Sequence, residues 1–600
     1  MNTPTARRSP VPTIVASLVG VAAILATYLL LRPDDGSSSD RRRSDCVPVT
    51  VVASSEKSGL LGKLAVAYAE QDRRFDGGCA DVRVVSKASG DAMESLATGW
   101  DEQRDGGPAP QVWTPASSSW ISLLRQRAAV LDVPVPISSE KPSNLANSPL
   151  VLAMPKPMAE ALGWPDAAIG WSDLLGLATD PSGWGAAGHP EWGAFRLGKT
   201  NPHFSTSGLN ATIGAYVAAT GRSSDLTEDD LADPQVLDFT KGVESSVVHY
   251  GDTTLTFLAN MAEADAQGQG LSYISAVAVE EKSVFDYNQG NPTGDPDQVG
   301  KGRKPKVPLV AVYPEEGTLV SDNPYVVLET VSDEQRAGAD DFLAFLREPA
   351  QQRRFTDLAF RTFDGAAGDP LTPDNGLLPD AQFTVLAAPL PAVLARALAT
   401  WDTQRKRARV LLVLDVSGSM VGDTGTGQSK LELAKQTVQR SLDLFAPDDE
   451  VGLWTFSTER DGAATPYTER LPVGALAANR QRMTTTIAAL APGGGTALYA
   501  TTRAAQQRQL AALDESRINA IVLLTDGRNE YPKDNDLEGL VRDLDASQLE
   551  RSIRVFTIAY GEGADLDALE RISTASRAAA YDARDPASIE KVFTSVLSNF

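Results

Sequence analysis

Apolar and polar positions along this chain fall into two series of short apolar runs, each followed by a stretch of helical period. From Cys46 onward, VPVTVVASS predicts a strand and a turn, GLLGKLAVAYAEQ an amphipathic helix, DVRVVSKASGD a second strand and turn, and AMESLATGW a second helix. The rhythm continues through APQVWTPASSSWISLLRQ and SPLVLAMPKPMAEALG, and returns in VPLVAVYPEEG and QRAGADDFLAFLREPAQQRRF. Strands that alternate with helices predict a parallel sheet covered on both faces. Between Asp364 and Gln382 the chain is rich in Gly, Pro and Asp and loses all period, which places the main boundary there. PAVLARALATWDTQRKR then reads as one connecting helix. Beyond it RVLLVLD, KLELAKQTVQRSLDLF, VGLWTFS, RQRMTTTIAAL, NAIVLLTDG, LEGLVRDLD, IRVFTIAYG, DLDALERIS and SIEKVFTSVLSNF make a second strand–helix series, the pattern of a doubly wound, Rossmann-like module.

The expected architecture is α/β throughout. One module spans 46–363, a linker and connecting helix 364–405, and the doubly wound module 406–600. Ahead of these, Val11 to Leu31 carries no charge and is long enough to cross hydrocarbon as a helix. Residues 1–10, with Arg7 and Arg8, would be a short cytoplasmic tail, 11–31 a transmembrane signal anchor, and the Ser-rich, charged stretch 32–45 a linker. A long cleaved signal peptide is the alternative. On the anchor reading the bulk of the chain is extracellular.

Charge and cysteines narrow the function. A formal charge of −23 argues against wrapping nucleic acid, which needs clustered Lys and Arg. With 42% hydrophobic and 22% charged residues the chain can bury ordinary cores. Cys46 and Cys79, the two cysteines, read in an exported chain as one disulfide, with two separate buried thiols as the other reading.

Candidate chemistry gathers at strand ends of the last module. Asp415, Ser417 and Ser419 follow its first strand, Thr496 lies in PGGGTALYA, and Asp526 ends NAIVLLTDG. Two carboxylates and three hydroxyls are all hard oxygen donors, so they select a hard cation: Mg2+ first, with Mn2+ or Ca2+ as alternatives. Two carboxylates balance a divalent ion, and one vertex of its octahedron stays open to an oxygen from outside. Gly493 to Gly495 let their loop come close to the ion. DVSGSM, GGGTAL and LLTDG, in this order on this fold, resemble the von Willebrand factor type A (VWA) domain and its metal-ion-dependent adhesion site. The resemblance covers about the last third of the chain and matches that site at Asp415, Ser417, Ser419, Thr496 and Asp526. It implies metal-dependent binding of a protein partner that offers an acidic residue, and no catalysis. GDTGTGQSK, which imitates a phosphate loop, has Gln428 where the lysine belongs and reads as a loop before a helix.

In the first module SSEKSGLL, SKASGD, WTPASSSW and KTNPHFSTSGLNA each set Ser, Thr or Gly at a strand end before a helix, where unpaired amides hold anions or polar ligands. These stretches, with FLAFLREPAQQRRFTDLAFR, resemble the type II extracellular (periplasmic) solute-binding proteins. The resemblance implies two hinged lobes closing on a small polar solute or anion, and Ser54, Ser55, Ser89, Thr114, Ser205, Thr206 and Ser207 are the expected cleft residues. Lys87 and Lys199 read as solvated surface groups, Trp113, Trp120 and Tyr250 as core, and His203 as a satisfied structural histidine. Three rivals remain: a receptor handing solute to a separate transporter; a metal-dependent hydrolase, which the distance of His189, His203 and His249 from the metal motifs disfavours; and a cytoplasmic assembly factor, which the apolar segment and the cysteine pair oppose.

Overall fold

A computed structural model describes residues 46–600 apart from 76–77, 139–140, 223–225, 426, 459–464 and 546–552. The expected anchor at 11–31 and the linker at 32–45 lie outside the described residues. Among those described, no helix is long and apolar enough to cross a membrane.

The first module folds as two lobes, each around its own sheet. In the first lobe the strand order is Ala80–Ser86, Val47–Ala53, Val112–Thr114, Pro324–Val327 and Ser143–Asn144. The first three run parallel, and Pro324–Val327 returns antiparallel. In the second lobe Ser148–Pro155 lies antiparallel to both Ala276–Glu280 and Leu309–Val312, while Leu197–Thr200 pairs in parallel with Val247–Gly251. The sheets are thus mixed rather than purely parallel. The chain crosses between lobes at 144–148 and again at 321–324, so the strands laid down on the return run opposite to their neighbours.

Period-two alternation explains how each central strand holds two cores at once. Val49, Val51 and Ala53 face one apolar body with Leu61, Tyr68, Phe342 and Phe345, while Val52 faces another with Trp113 and Trp120. Leu150, Leu152 and Met154 divide from Val151 and Ala153 in the same way. Cys46 and Cys79 are joined by a disulfide that ties the entry of the first strand to that of the second. Its partners lie 33 positions apart. Closing a loop of that length is worth about 3–4 kcal/mol in the chain-entropy account, so Cys79→Ser is expected to lower first-lobe stability by that amount in urea unfolding, and reducing agent should reproduce the loss in the unmutated chain.

The stretch expected as a linker is folded down on the second lobe. Leu371 and Leu377 are buried with Phe257 and Leu309, and Thr318 exchanges backbone hydrogen bonds with Thr384 and Leu386 at 2.8 and 2.9 Å. The helix Pro391–Gln404 follows. The last module has the strand order Tyr467–Ala475, Glu450–Phe456, Ala408–Asp415, Ile518–Thr525, Arg554–Tyr560 and Ala580–Ala583, all parallel except the first. Tyr467–Ala475 has no apolar run to announce it. It is an edge strand in which Leu471 alone is buried.

The second lobe and the last module share one continuous apolar body, from Trp171 and Leu197 through Tyr250 and Trp401 to Phe445 and Phe600. Backbone joins them too: Tyr250 donates its N–H to the Asn599 carbonyl at 3.1 Å, and the Asn201 amide donates to the Ser598 carbonyl at 3.1 Å. Lys87 and Lys199 are buried, contrary to expectation. Lys87 pairs with Asp105 at 3.1 Å and Lys199 with Glu244.

Candidate functional site

Val410 to Leu414 are all buried in the central strand of the last sheet. At about 1.5–3 kcal/mol for each such side chain, they hold the strand firmly enough for its final residue to be a fully buried carboxylate, Asp415. The chain then turns sharply. Asp415 Oδ1 accepts the Ser417 N–H at 2.7 Å and Oδ2 accepts the Thr525 hydroxyl at 2.5 Å. Burial pushes the Asp415 carboxyl up to about 6, against these hydrogen bonds.

The glycine loop is pinned beside this turn by two backbone bonds, Gly493 N–H to the Val416 carbonyl at 2.8 Å and Gly418 N–H to the Gly494 carbonyl at 2.7 Å. Gly494 adopts φ +80°, a region that disfavours any side chain. The loop carries Thr496 to Asp526: a Cβ on Gly527 would stand 2.8 Å from Thr496 Oγ1. Glu530 braces Thr496 by donating its N–H to the Thr496 carbonyl at 2.7 Å and accepting the Thr496 N–H at 3.2 Å.

Three oxygens meet at the centre. Ser417 Oγ lies 2.9 Å from Ser419 Oγ, and Ser419 Oγ donates to Asp526 Oδ1 at 2.6 Å. Asp415 stands behind them through Ser417, and Thr496 above them through Gly527. All five expected residues therefore come from three segments to one place. Among the described residues no cluster of three His, Cys, Asp or Glu could hold a metal. The donors here are two carboxylates and hydroxyls, a set that suits a hard cation and not a zinc-type ion.

Sequence reasoning missed Lys430, whose ammonium donates to Asp526 Oδ2 at 2.8 Å. It is the first residue of the helix Lys430–Ser441. A cation in the first turn opposes the helix dipole, and that oddity was the one local signal available.

The cleft between the two lobes is closed nearly shut. A cavity of about 10 Å3 remains, lined by Ser55, Glu56, Ser89, Ser205, Thr206 and Asp252. Four of the expected cleft residues are among these. The other three do not line it. Ser54 accepts the Lys57 ammonium at 2.8 Å, Ser207 pairs with Thr254 at 2.9 Å, and the Thr114 hydroxyl is buried without a partner. The lobes touch directly, with Gly90 N–H donating to the Phe204 carbonyl at 3.0 Å and the Trp120 indole to Thr206 Oγ1 at 2.8 Å. Trp113 is buried in the core, and Tyr250 packs edge-on against Trp401 at 5.1 Å. His203 bonds Asp402 of the connecting helix at 2.8 Å.

The cleft is acidic, which its Ser and Thr content did not disclose. Burial lifts the Asp252 carboxyl to about 6, and burial together with Glu56 raises that of Glu280. Burial lowers the Lys57 ammonium to about 7, and its hydrogen bonds go to the neutral oxygens of Ser54, Pro115 and Asn323. The last module reaches this cleft from behind: burial, with the Asp252 carboxylate close by, pushes the Tyr581 hydroxyl well above its ordinary range.

The family model described as bacterial extracellular solute-binding protein matches residues 49–361. That for the von Willebrand factor type A domain matches 410–595. No curated protein matches the chain. Similar solved structures include a periplasmic thiamin binding protein, 12% identical, over 60% of this chain and 96% of its own at a TM-score of 0.38. The periplasmic binding protein AfuA from Actinobacillus pleuropneumoniae, solved with fructose-6-phosphate, is 15% identical over 60% and 99% at 0.39. A von Willebrand factor type A structure from Catenulispora acidiphila is 20% identical over 32% of this chain at 0.26, and the match spans 42% of that structure.

Proposed function

From a chain that belongs to the bacterial extracellular solute-binding protein family and continues into a von Willebrand factor type A domain, we propose a membrane-anchored extracellular binding protein that grips an acidic protein partner through a divalent cation. Residues 11–31 are the anchor, and Mg2+ is the first choice of ion. Asp415, Ser417, Ser419, Thr496 and Asp526 hold it. The observation that carries this reading is the meeting of Ser417 Oγ, Ser419 Oγ and Asp526 Oδ1 within 2.9 Å steps, on loops tied to one another by backbone bonds.

When bound, the ion supplies a Lewis-acidic place for an oxygen of the partner. The protein's own part is preorganisation. Asp415 fixes the turn that aims both serines, Thr525 and the Ser417 amide orient Asp415, and Glu530 steadies Thr496. The reading is one of binding and not of turnover. The three histidines stand in the solute-binding module, where His249 is buried against Tyr273 at 3.1 Å.

The cleft takes a small solute, and its chemistry favours one with a cationic group over the anion expected from its helix starts. Glu56 and Asp252 line it while the nearest lysines are engaged: Lys57 by neutral oxygens and Lys282 by Asp286.

The test is calorimetry of the full chain in detergent, stripped with EDTA and titrated with Mg2+ alone. One ion per chain is expected to bind with measurable heat, and Asp526→Ala to bind none. An unmutated chain that takes up no Mg2+ would sink the proposal.

A further inference from the structure

Lys430 is built into the metal site rather than lying beside it. Its N–H donates to the Gly422 carbonyl at 2.8 Å, and the Tyr560 hydroxyl donates to its carbonyl at 3.2 Å. The side-chain stem runs through a slot between two glycines. A Cβ on Gly561 would stand 2.9 Å from Lys430 Cε and 3.0 Å from Nζ, and one on Gly422 would stand 3.4 Å from Cε. At the end of this slot the ammonium meets Asp526, whose side chain is fully buried, while the lysine side chain is 16% exposed. Both the helix dipole and an incoming divalent ion oppose a cation there, so its placement needs a reason.

Charge arithmetic supplies one. Asp415 and Asp526 alone would just neutralise a divalent ion, leaving the occupied site with no net charge. With Lys430 counted, the occupied site carries one positive charge too many, and a single carboxylate from outside removes it. We propose that Lys430 is the positioning residue that lowers the site's affinity for the free divalent ion and makes an external carboxylate the group that completes the charge balance. This deepens the metal-site reading given above and rests on it.

The consequence is linkage: metal and carboxylate each tighten the binding of the other. Without the lysine, the ion would bind well by itself and the carboxylate would add little. In the metal-free chain, Lys430 spares Asp526 from standing as an uncompensated buried charge.

The experiment is Mg2+ calorimetry on the full chain in detergent, comparing the unmutated protein with Lys430→Met, Lys430→Gln and Lys430→Arg. The two neutral variants are expected to bind Mg2+ about tenfold tighter or more, since removing a like charge a few ångströms from the ion is worth at least that. Lys430→Arg keeps the charge and should stay close to the unmutated value. Repeating the titration in sodium acetate against sodium chloride reads the second half of the proposal. Acetate should tighten Mg2+ binding in the unmutated chain and in Lys430→Arg, and much less in the neutral variants. Mg2+ affinity that is unchanged or weaker in both neutral variants, with Lys430→Arg also unchanged, overturns the proposal and leaves the metal site standing. Absence of Mg2+ uptake in all four proteins overturns the metal site itself.

Discussion

Arg405→Met is expected to lower the unfolding free energy of the chain by about 3–5 kcal/mol, the loss typical of a buried ion pair deprived of one partner. Arg405 ends the connecting helix and is buried where the two modules join. One end of its guanidinium donates to Asp449 Oδ2 at 2.6 Å, and the other donates to the Phe600 carbonyl at 3.2 Å. Asp449 has no exposed surface, and its oxygens also accept the N–H groups of Ala446 and Ala408, both at 2.7 Å. Those amides cannot replace a full counter-charge. Removing the arginine therefore strands a carboxylate at the root of the strand that carries Asp415. A control separates this from surface electrostatics. Arg480 pairs with Asp443 at 2.7 Å, but Asp443 is 84% exposed, so Arg480→Ala should cost less than about 1 kcal/mol. Urea unfolding of the three proteins decides it, and equal losses for the two variants would remove the claim that the buried Arg405–Asp449 pair anchors the connecting helix to the last module.

What could be read from the chain was local in sequence. Asp415, Ser417 and Ser419 stand within five positions at the end of an unmistakable strand, and Thr496 and Asp526 each sit beside an equally clear element, so sheet topology alone brings them near one another. Lys430 could not be read in this way. Its partner lies 96 positions on, and the bond depends on the slot between Gly422 and Gly561, which no local pattern reveals. Lys87 and Lys199 read as surface groups for a related reason. Lysine is rarely buried unless paired, and the pairing residues, Asp105 and Glu244, belong to later elements. The cleft was half legible. Ser55, Ser89, Ser205 and Thr206 announce themselves as helix-start residues at strand ends. Thr114 is a strand residue whose hydroxyl is buried without a partner, and Ser207 lies one step further into its helix and meets Thr254. The acidity of the cleft is not legible because Glu56, Asp252 and Glu280 are each unremarkable in sequence and come from separate elements of both lobes.

Gly90→Val is expected to hold those lobes apart. Gly90 lies in the first turn of Ser89–Thr98 and is the point at which the first lobe meets the backbone of the second. A Cβ there would stand 1.9 Å from the His203 carbonyl oxygen and 2.8 Å from Phe204 Cα, an overlap with main chain that no rotamer can relieve. Each lobe keeps a core of its own, around Val49 and Phe342 in one and Val151 and Val277 in the other, so the variant should fold with unmutated helix content, while the apolar cluster that Trp113 and Trp120 of the first lobe share with Leu209, Ile213 and Val217 of the second has to part as the lobes open. The movement should also have a direction. Hydrogen bonds from Asn201 and Tyr250 fasten the last module to the second lobe, whereas it faces the first lobe across a cavity of about 860 Å3 bounded by Lys87, Asp91 and Arg104 on one side and Glu590, Lys591 and Phe600 on the other. Opening the cleft is therefore expected to swing the first lobe away from the last module and to leave the second lobe in place. Spin labels on cysteines introduced at the exposed positions Gln71 and Gln507 should report a longer and broader distance in Gly90→Val, while a pair at Asp238 and Gln507 should not change. If both distances stay as in the unmutated chain, Gly90 is not the closing contact. If both lengthen, the second lobe and the last module do not move as one body, and the shared core running through Trp401 and Phe600 does not bind them as tightly as its burial implies.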